Sequence, residues 1–132
     1  MRIIIKKDTS QVGDWAATYI IDKIKKANPS KEKPFILGLP TGSSPLPVYK
    51  EFIRRHKAGE ISFRNVITFN MHESVGLPED RMERYHFFIH DNLFNHIDIP
   101  KENINILNGN SKDLEKECDN YEKKIRKAGG ID

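Results

Sequence analysis

Two polar turns carry the residues of this chain that could do chemistry. The first is Pro40-Thr41-Gly42-Ser43-Ser44, entered from the apolar run Phe35-Ile36-Leu37 and followed at once by Pro45. That order reads as a buried strand, a tight Gly/Ser turn and a helix capped by Ser44, with Pro45 in its first turn. Such a turn aims backbone N–H groups and hydroxyls at one point, with the positive end of a helix dipole behind them. An anion such as phosphate suits it. The same residues are equally consistent with a capped helix whose glycine and serines merely make the turn. The second turn is Asn70-Met71-His72-Glu73-Ser74, which ends another apolar run, Val66-Ile67-Thr68-Phe69. Further on, His86 and His90 stand i, i+4, so on a helix they share a face as a two-ligand clamp that His72 or Glu73 could complete. H-x-x-x-H is common by chance. Ordinary packing or surface histidines are therefore the favoured reading, and a zinc site the alternative.

The elements that must position these turns follow from periodicity. Ile3-Ile4-Ile5 reads as a first strand. Thr9 or Ser10 then caps a helix with Val12, Trp15, Ala16, Tyr19, Ile20 and Ile24 at helical spacing, ended by Asn28-Pro29-Ser30. After the first polar turn, a helix with Val48, Tyr49, Phe52 and Ile53 stops near Gly59. A Gly/Pro loop (Gly76-Leu77-Pro78) follows the second turn, then a helix with Tyr85, Phe88, Ile89 and Leu93 on its apolar face. Asn103 to Leu107 reads as a short strand. Ser111 caps a last helix with Leu114, Cys118, Tyr121 and Ile125 inward, Gly129-Gly130 ends it, and Ile131-Asp132 begins a further strand. Strands alternating with helices imply βαβ units and a parallel sheet. Ligands of such sheets sit beyond the carboxyl ends of the strands, so the two polar turns should share one crevice.

Composition narrows the class. At 132 residues the chain fits one domain, 1–132, with a real core. Hydrophobic residues at 37% and charged ones at 31% describe a globular protein, not a disordered one. A net charge of +3, with acids and bases mixed along the chain, gives no nucleic-acid footprint. Cys118 stands alone, which excludes an internal disulfide and suits a reducing cytoplasm; its spacing reads as a buried helix position. The opening apolar run is too short for a signal peptide or a membrane span.

The segments FILGLPTGSSPLPVYK, ISFRNVITFNMHE, VGLP and NHIDIPKENINILNG, with the closing ECDNYEKKI stretch, strongly resemble glucosamine-6-phosphate deaminase. The resemblance runs from Met1 to Asp132 and covers about the first half of a family member. It implies a Rossmann-like, three-layer α/β fold with a mostly parallel sheet, truncated after the fourth major helix. It also implies conversion of glucosamine 6-phosphate and water to fructose 6-phosphate and ammonia through an enediol, without metal or organic cofactor. By the resemblance, Thr41, Gly42, Ser43 and Ser44 form the substrate and phosphate loop, and the partner is a hexosamine 6-phosphate. Pro47 removes one backbone donor from the following helix turn.

The second turn departs from the family pattern. Where the family has FNMDEY, this chain has Phe69-Asn70-Met71-His72-Glu73-Ser74, which puts His72 at the position of the proton-abstracting aspartate, with Glu73 beside it. The family's HPESY is Arg81-Met82-Glu83-Arg84-Tyr85. An imidazole can act as a general base near neutrality, but it differs in size and shape from a carboxylate, and proton abstraction tolerates little displacement. The family's GIG-x-DGH-x-x-x-N-E-P segment is expected just beyond Asp132, along with later phosphate-holding basic residues. The expectation is a natural or engineered derivative with a partial crevice and little or no deaminase activity. An alternative is an interaction module. The 81–96 stretch carries Met82, Phe87, Phe88, Ile89, Leu93 and Phe94, more apolar surface than one core-facing stripe needs, and could bind a protein partner or a second copy.

Overall fold

The computed structural model describes residues 2–78, 81–82 and 84–132; Met1 and Glu83, which the sequence reading used, lie outside the described residues. The order is α1 (Thr9–Ala27), β1 (Phe35–Leu39), α2 (Leu46–Lys57), β2 (Val66–Asn70), α3 (Tyr85–Asn92), β3 (Ile104–Asn105) and α4 (Leu114–Lys127), with single 3-10 turns at Phe94–His96 and Lys101–Asn103. The three strands are parallel in the order β1-β2-β3. The expected alternation of strands and helices is therefore present.

Side chains alternate across the sheet and define three layers. Phe35, Leu39 and Val66 face a core built with Ala17, Ile21 and Ile24 of α1, Tyr49 and Phe52 of α2, and Ile89 of α3. Ile36 and Phe69 face the other way, onto Tyr121 of α4. A parallel sheet covered on both faces needs this near-continuous apolar patterning. No helix among the described residues is long and apolar enough to cross a membrane.

Four local expectations need correction. The Ile3-Ile4-Ile5 run forms no strand, and Ile3 and Ile5 are exposed. A strand needs a neighbour for its backbone groups, and among the described residues none runs beside it. Helix caps fall elsewhere too: Asp8 caps α1 by accepting from the Gln11 N–H, and Asp113 caps α4 by accepting from the Lys116 N–H, each carboxylate reaching three residues ahead. Ser44 caps nothing, because α2 starts after Pro45, which has no side-chain cap bond.

The third correction concerns α1. Its buried stripe is Gly13, Ala17, Ile21 and Ile24, whereas Val12 and Tyr19 are exposed and Trp15, Ala16 and Ile20 are half-buried. Gly13 explains the rotation. A Cβ there would lie 2.5 Å from the Pro47 Cβ and 2.8 Å from its carbonyl oxygen, so α1 and α2 cross at contact distance only through small residues. The tight crossing selects the glycine–alanine side of the helix and turns the bulky side outward. The fourth correction is Cys118, which is exposed; only Tyr121 of α4 is buried.

Candidate functional site

The two candidate turns leave the carboxyl ends of β1 and β2. Leu39 and Asn70 are register partners, and the Met71 N–H donates to the Leu39 carbonyl at 3.3 Å. The turns 40–44 and 70–74 therefore leave the sheet side by side, as their shared position at strand ends requires.

The first turn offers donors. Among the described residues nothing accepts from the N–H groups of Thr41, Gly42, Ser43 and Ser44 or from the three hydroxyls. Thr41 and Gly42 are half-buried, and Ser43 and Ser44 are exposed. Gly42 has φ +112, a conformation only glycine adopts freely, and a Cβ built there would meet nothing within 4 Å, so space lies over the turn. The helix behind contributes less than its sequence suggested. The Leu46 N–H points back to the Ser43 carbonyl and the Val48 N–H to the Pro45 carbonyl, while Pro45 and Pro47 have no N–H at all. Any anion here is held by the loop and the dipole, not by bare amides of α2.

Both strand ends are pinned by tyrosines that sequence reasoning took for core alone. The Tyr49 hydroxyl donates to the Pro40 carbonyl, and the Tyr121 hydroxyl to the carbonyls of Asn70 and Asn105, each at 2.8 Å. Burial pushes both phenols well above the usual tyrosine range. The folded protein thus favours the protonated phenols more than the unfolded chain does. This contribution is complete below about pH 10, the unfolded value, and is lost as pH rises toward the folded values. The melting temperature is expected to fall steeply above about pH 10, and less so in Tyr49→Phe and Tyr121→Phe variants, as a pH series of thermal melts will show.

Asn70 was read in the sequence only as the first residue of the second turn, with no role of its own. Its side chain is buried, its Nδ2 donates to the Leu39 carbonyl at 3.4 Å, and its Oδ1 has no partner among the described residues. An asparagine closing an otherwise apolar strand was the available signal.

The second turn separates its two candidates. His72 is exposed, its ring 6.4 Å from that of Tyr85 in an edge-on arrangement. The Glu73 side chain points inward and is 1% exposed. Its carboxylate accepts from the N–H groups of Ser74, Tyr85 and His86 at 2.7, 3.1 and 3.0 Å, and lies 3.5 Å from the buried Arg84 guanidinium. Glu73 therefore caps α3 from outside its own element. Gly109 backs the same turn and was likewise missed, since a Cβ there would lie 1.9 Å from the Ser74 carbonyl oxygen.

The other two candidate histidines pair with each other. His86 and His90 have ring centroids 4.6 Å apart on α3, and burial, then the neighbouring His86, lowers the pKa of His90. Among the described residues no group of three or more His, Cys, Asp and Glu converges, so His72, His86 and His90 do not make a cluster. On the 81–96 stretch, Met82 is exposed and Phe87 half-buried. Arg84, on the same stretch, is 2% exposed, and the Glu73 carboxylate and the Leu77 carbonyl hold it inside.

Residues 7–132 match the family described as glucosamine-6-phosphate isomerases/6-phosphogluconolactonases. The chain is 61% identical over 132 residues to a glucosamine-6-phosphate deaminase of Phocaeicola vulgatus, covering all of this chain and 50% of that protein. It is 60% identical over 131 residues to the Aeromonas hydrophila deaminase, covering 49% of it. A solved monomeric glucosamine-6-phosphate deaminase superposes on the whole chain with a TM-score of 0.92 at 35% identity, 53% of that structure being covered. A 6-phosphogluconolactonase from Thermotoga maritima shares the fold, with a TM-score of 0.74 over 95% of this chain and 53% of its own. The chain spans about half the length of the curated relatives it matches.

Proposed function

Since this chain belongs to the family of glucosamine-6-phosphate isomerases and 6-phosphogluconolactonases, we propose that it carries the N-terminal half of a hexosamine 6-phosphate site. The observation that carries this reading is the run of donors at Thr41–Ser44, unpartnered among the described residues, beside the end of β2. Thr41, Gly42, Ser43 and Ser44 hold the substrate, Asn70 lines the floor between the two strand ends, and His72 stands at the mouth where the deaminase base would be. Glu73 acts as a positioning residue, because both its oxygens are engaged in fixing α3 and Arg84.

Turnover by this chain alone is expected to be absent. The exposed His72 ring is held by no hydrogen bond among the described residues, and a base that is not fixed loses the orientation on which proton abstraction depends. The test follows amide signals while glucosamine 6-phosphate, unphosphorylated glucosamine and inorganic phosphate are added in turn, alongside an ammonia assay. Shifts at 41–44 and 70–72 are expected with the sugar phosphate, weaker ones with phosphate and none with glucosamine. Unchanged signals at 41–44 would sink the binding reading, and ammonia release by the chain alone would sink the loss of turnover.

A further inference from the structure

We propose that His86 and His90 form a two-imidazole clamp for a divalent transition ion of the copper, nickel and zinc kind. An ion seated there locks the first turn of α3 and, through Glu73, the second polar turn. The two histidines stand four apart on α3 and so share one face of the helix. Two imidazoles that bind one ion at about 2.1 Å, with an angle of roughly 90° to 110° between the bonds, have ring centres roughly 4.5 to 5 Å apart. These two rings stand at 4.6 Å. The clamp needs no rearrangement of the helix.

The other three histidines are placed differently. His56 and His96 hold a ring nitrogen against the carbonyls of Ile61 and Asp91 at 2.9 and 2.7 Å, and the exposed His72 ring meets Tyr85 edge-on. The His90 ring is supported twice, by the Phe94 ring edge-on at 5.3 Å and by a hydrogen bond to the Asn95 side chain. Such a partner on one ring nitrogen fixes the orientation of a ligating histidine. His86 is exposed and His90 half-buried, so an ion reaches the pair from solvent. Among the described residues no third His, Cys, Asp or Glu joins them, which leaves the other positions to water. Lys101 lies close enough to His90 to oppose a cation. The clamp therefore holds its ion by nitrogen lone pairs and not by charge. That selects ions that favour imidazole over magnesium and calcium, which take oxygen ligands.

The effect on the second turn follows from how α3 is built. The helix has 8 residues, and its N-cap, Arg84, makes no side-chain cap bond. A helix so short depends on its contacts. Its first turn hangs on the Glu73 carboxylate, which accepts from the N–H groups of Tyr85 and His86 at 3.1 and 3.0 Å and from that of Ser74 at 2.7 Å. His86 joins the two functions, since its backbone N–H holds Glu73 while its ring carries the ion. Only the helical arrangement brings the two rings together, so an ion that needs both stabilises that arrangement by linkage. The clamp is independent of the sugar-phosphate reading, and no step of that chemistry runs through the ion.

The experiment adds copper(II), nickel(II), zinc and magnesium chlorides in turn to the chelator-washed chain at neutral pH. Calorimetry is expected to show one ion per chain for the first three, tightest for copper(II), and no binding of magnesium. Substoichiometric copper(II) should broaden the amide signals of 86–90 before all others. Zinc should raise the melting temperature and slow amide exchange at Ser74, Tyr85 and His86. His86→Ala, at an exposed position, is expected to fold like the parent and to bind at least about tenfold more weakly, because the second imidazole of a clamp acts at high effective concentration. His90→Asn is expected to weaken binding equally, and His96→Ala to leave it unchanged. Should His90→Asn not fold, His86→Ala decides alone. Undiminished binding by His86→Ala, broadening centred elsewhere, or unchanged exchange at 74 and 85–86 with zinc bound would overturn the proposal. Loss of sugar-phosphate shifts at 41–44 would bear on the proposed function alone.

Discussion

Glu73→Ala is expected to remove about 3–5 kcal/mol of stability, the loss typical when one partner of a buried ion pair is deleted. The magnitude comes from what the carboxylate leaves behind. Arg84, 2% exposed, loses one of its charge partners, and the N–H groups of Ser74, Tyr85 and His86 lose their acceptor together. The first turn of α3 should fray, because nothing on α3 itself caps it; Arg84 at the N-cap has no side-chain cap bond. Chemical denaturation will give the stability loss, and amide exchange will show whether it concentrates at 84–88. Glu73→Gln separates charge from shape: it retains an acceptor oxygen and should cost less than alanine. Equal stability of all three proteins would remove the positioning role assigned to this residue.

Gly109→Ala is the second large expected effect, about 1–3 kcal/mol and at the upper end of what overpacking costs. The added methyl would sit 1.9 Å from the Ser74 carbonyl oxygen and 3.3 Å from the Glu73 Cγ. The first of these is backbone and cannot rotate away as a side-chain tip would. The Gly109 carbonyl also accepts from the Gly76 N–H at 3.2 Å, so the segment pushed away is the one that Gly109 holds. The variant should therefore perturb amide signals at 72–76 far more than those at 41–44. A stable variant with unshifted 72–76 signals would show that the turn is not seated on Gly109.

Much of the fold was legible because its signals are local. Val66-Ile67-Thr68-Phe69 could hardly be anything but a buried strand, and Asn28 and Gly59 stop their helices through the left-handed backbone at each position. The caps were misread at Thr9 or Ser10, at Ser44 and at Ser111 by one to a few residues, since several cap-forming side chains stand together and only the local backbone chooses among them. The face of α1 was misread for a different reason. Helical spacing identifies an apolar stripe but not what it meets, and the requirement to close on Pro47 turned a glycine–alanine stripe inward. At the site, Thr41–Ser44 and His72 could be singled out as candidates because the residues of a turn stand consecutively, and the structure sets the two turns side by side. Tyr49, Gly109 and Tyr121 could not, because each acts on a turn remote in sequence or through a contact that has no local signature.

By itself the sequence determined the family, the parallel α/β class and the adjacency of two polar turns, all of which follow from periodicity and from motifs read along the chain. Only the tertiary structure decided which groups at those turns remain available. It sends His72 outward and Glu73 inward, leaves the donors of 41–44 without partners among the described residues while α2 uses or lacks its own, and exposes the apolar sides of α1 and α4 along the β1 edge. The physical reason is that availability is a property of pairs. A hydrogen-bonding group or an apolar face is free or engaged according to what packing brings against it, and packing joins residues far apart in the chain.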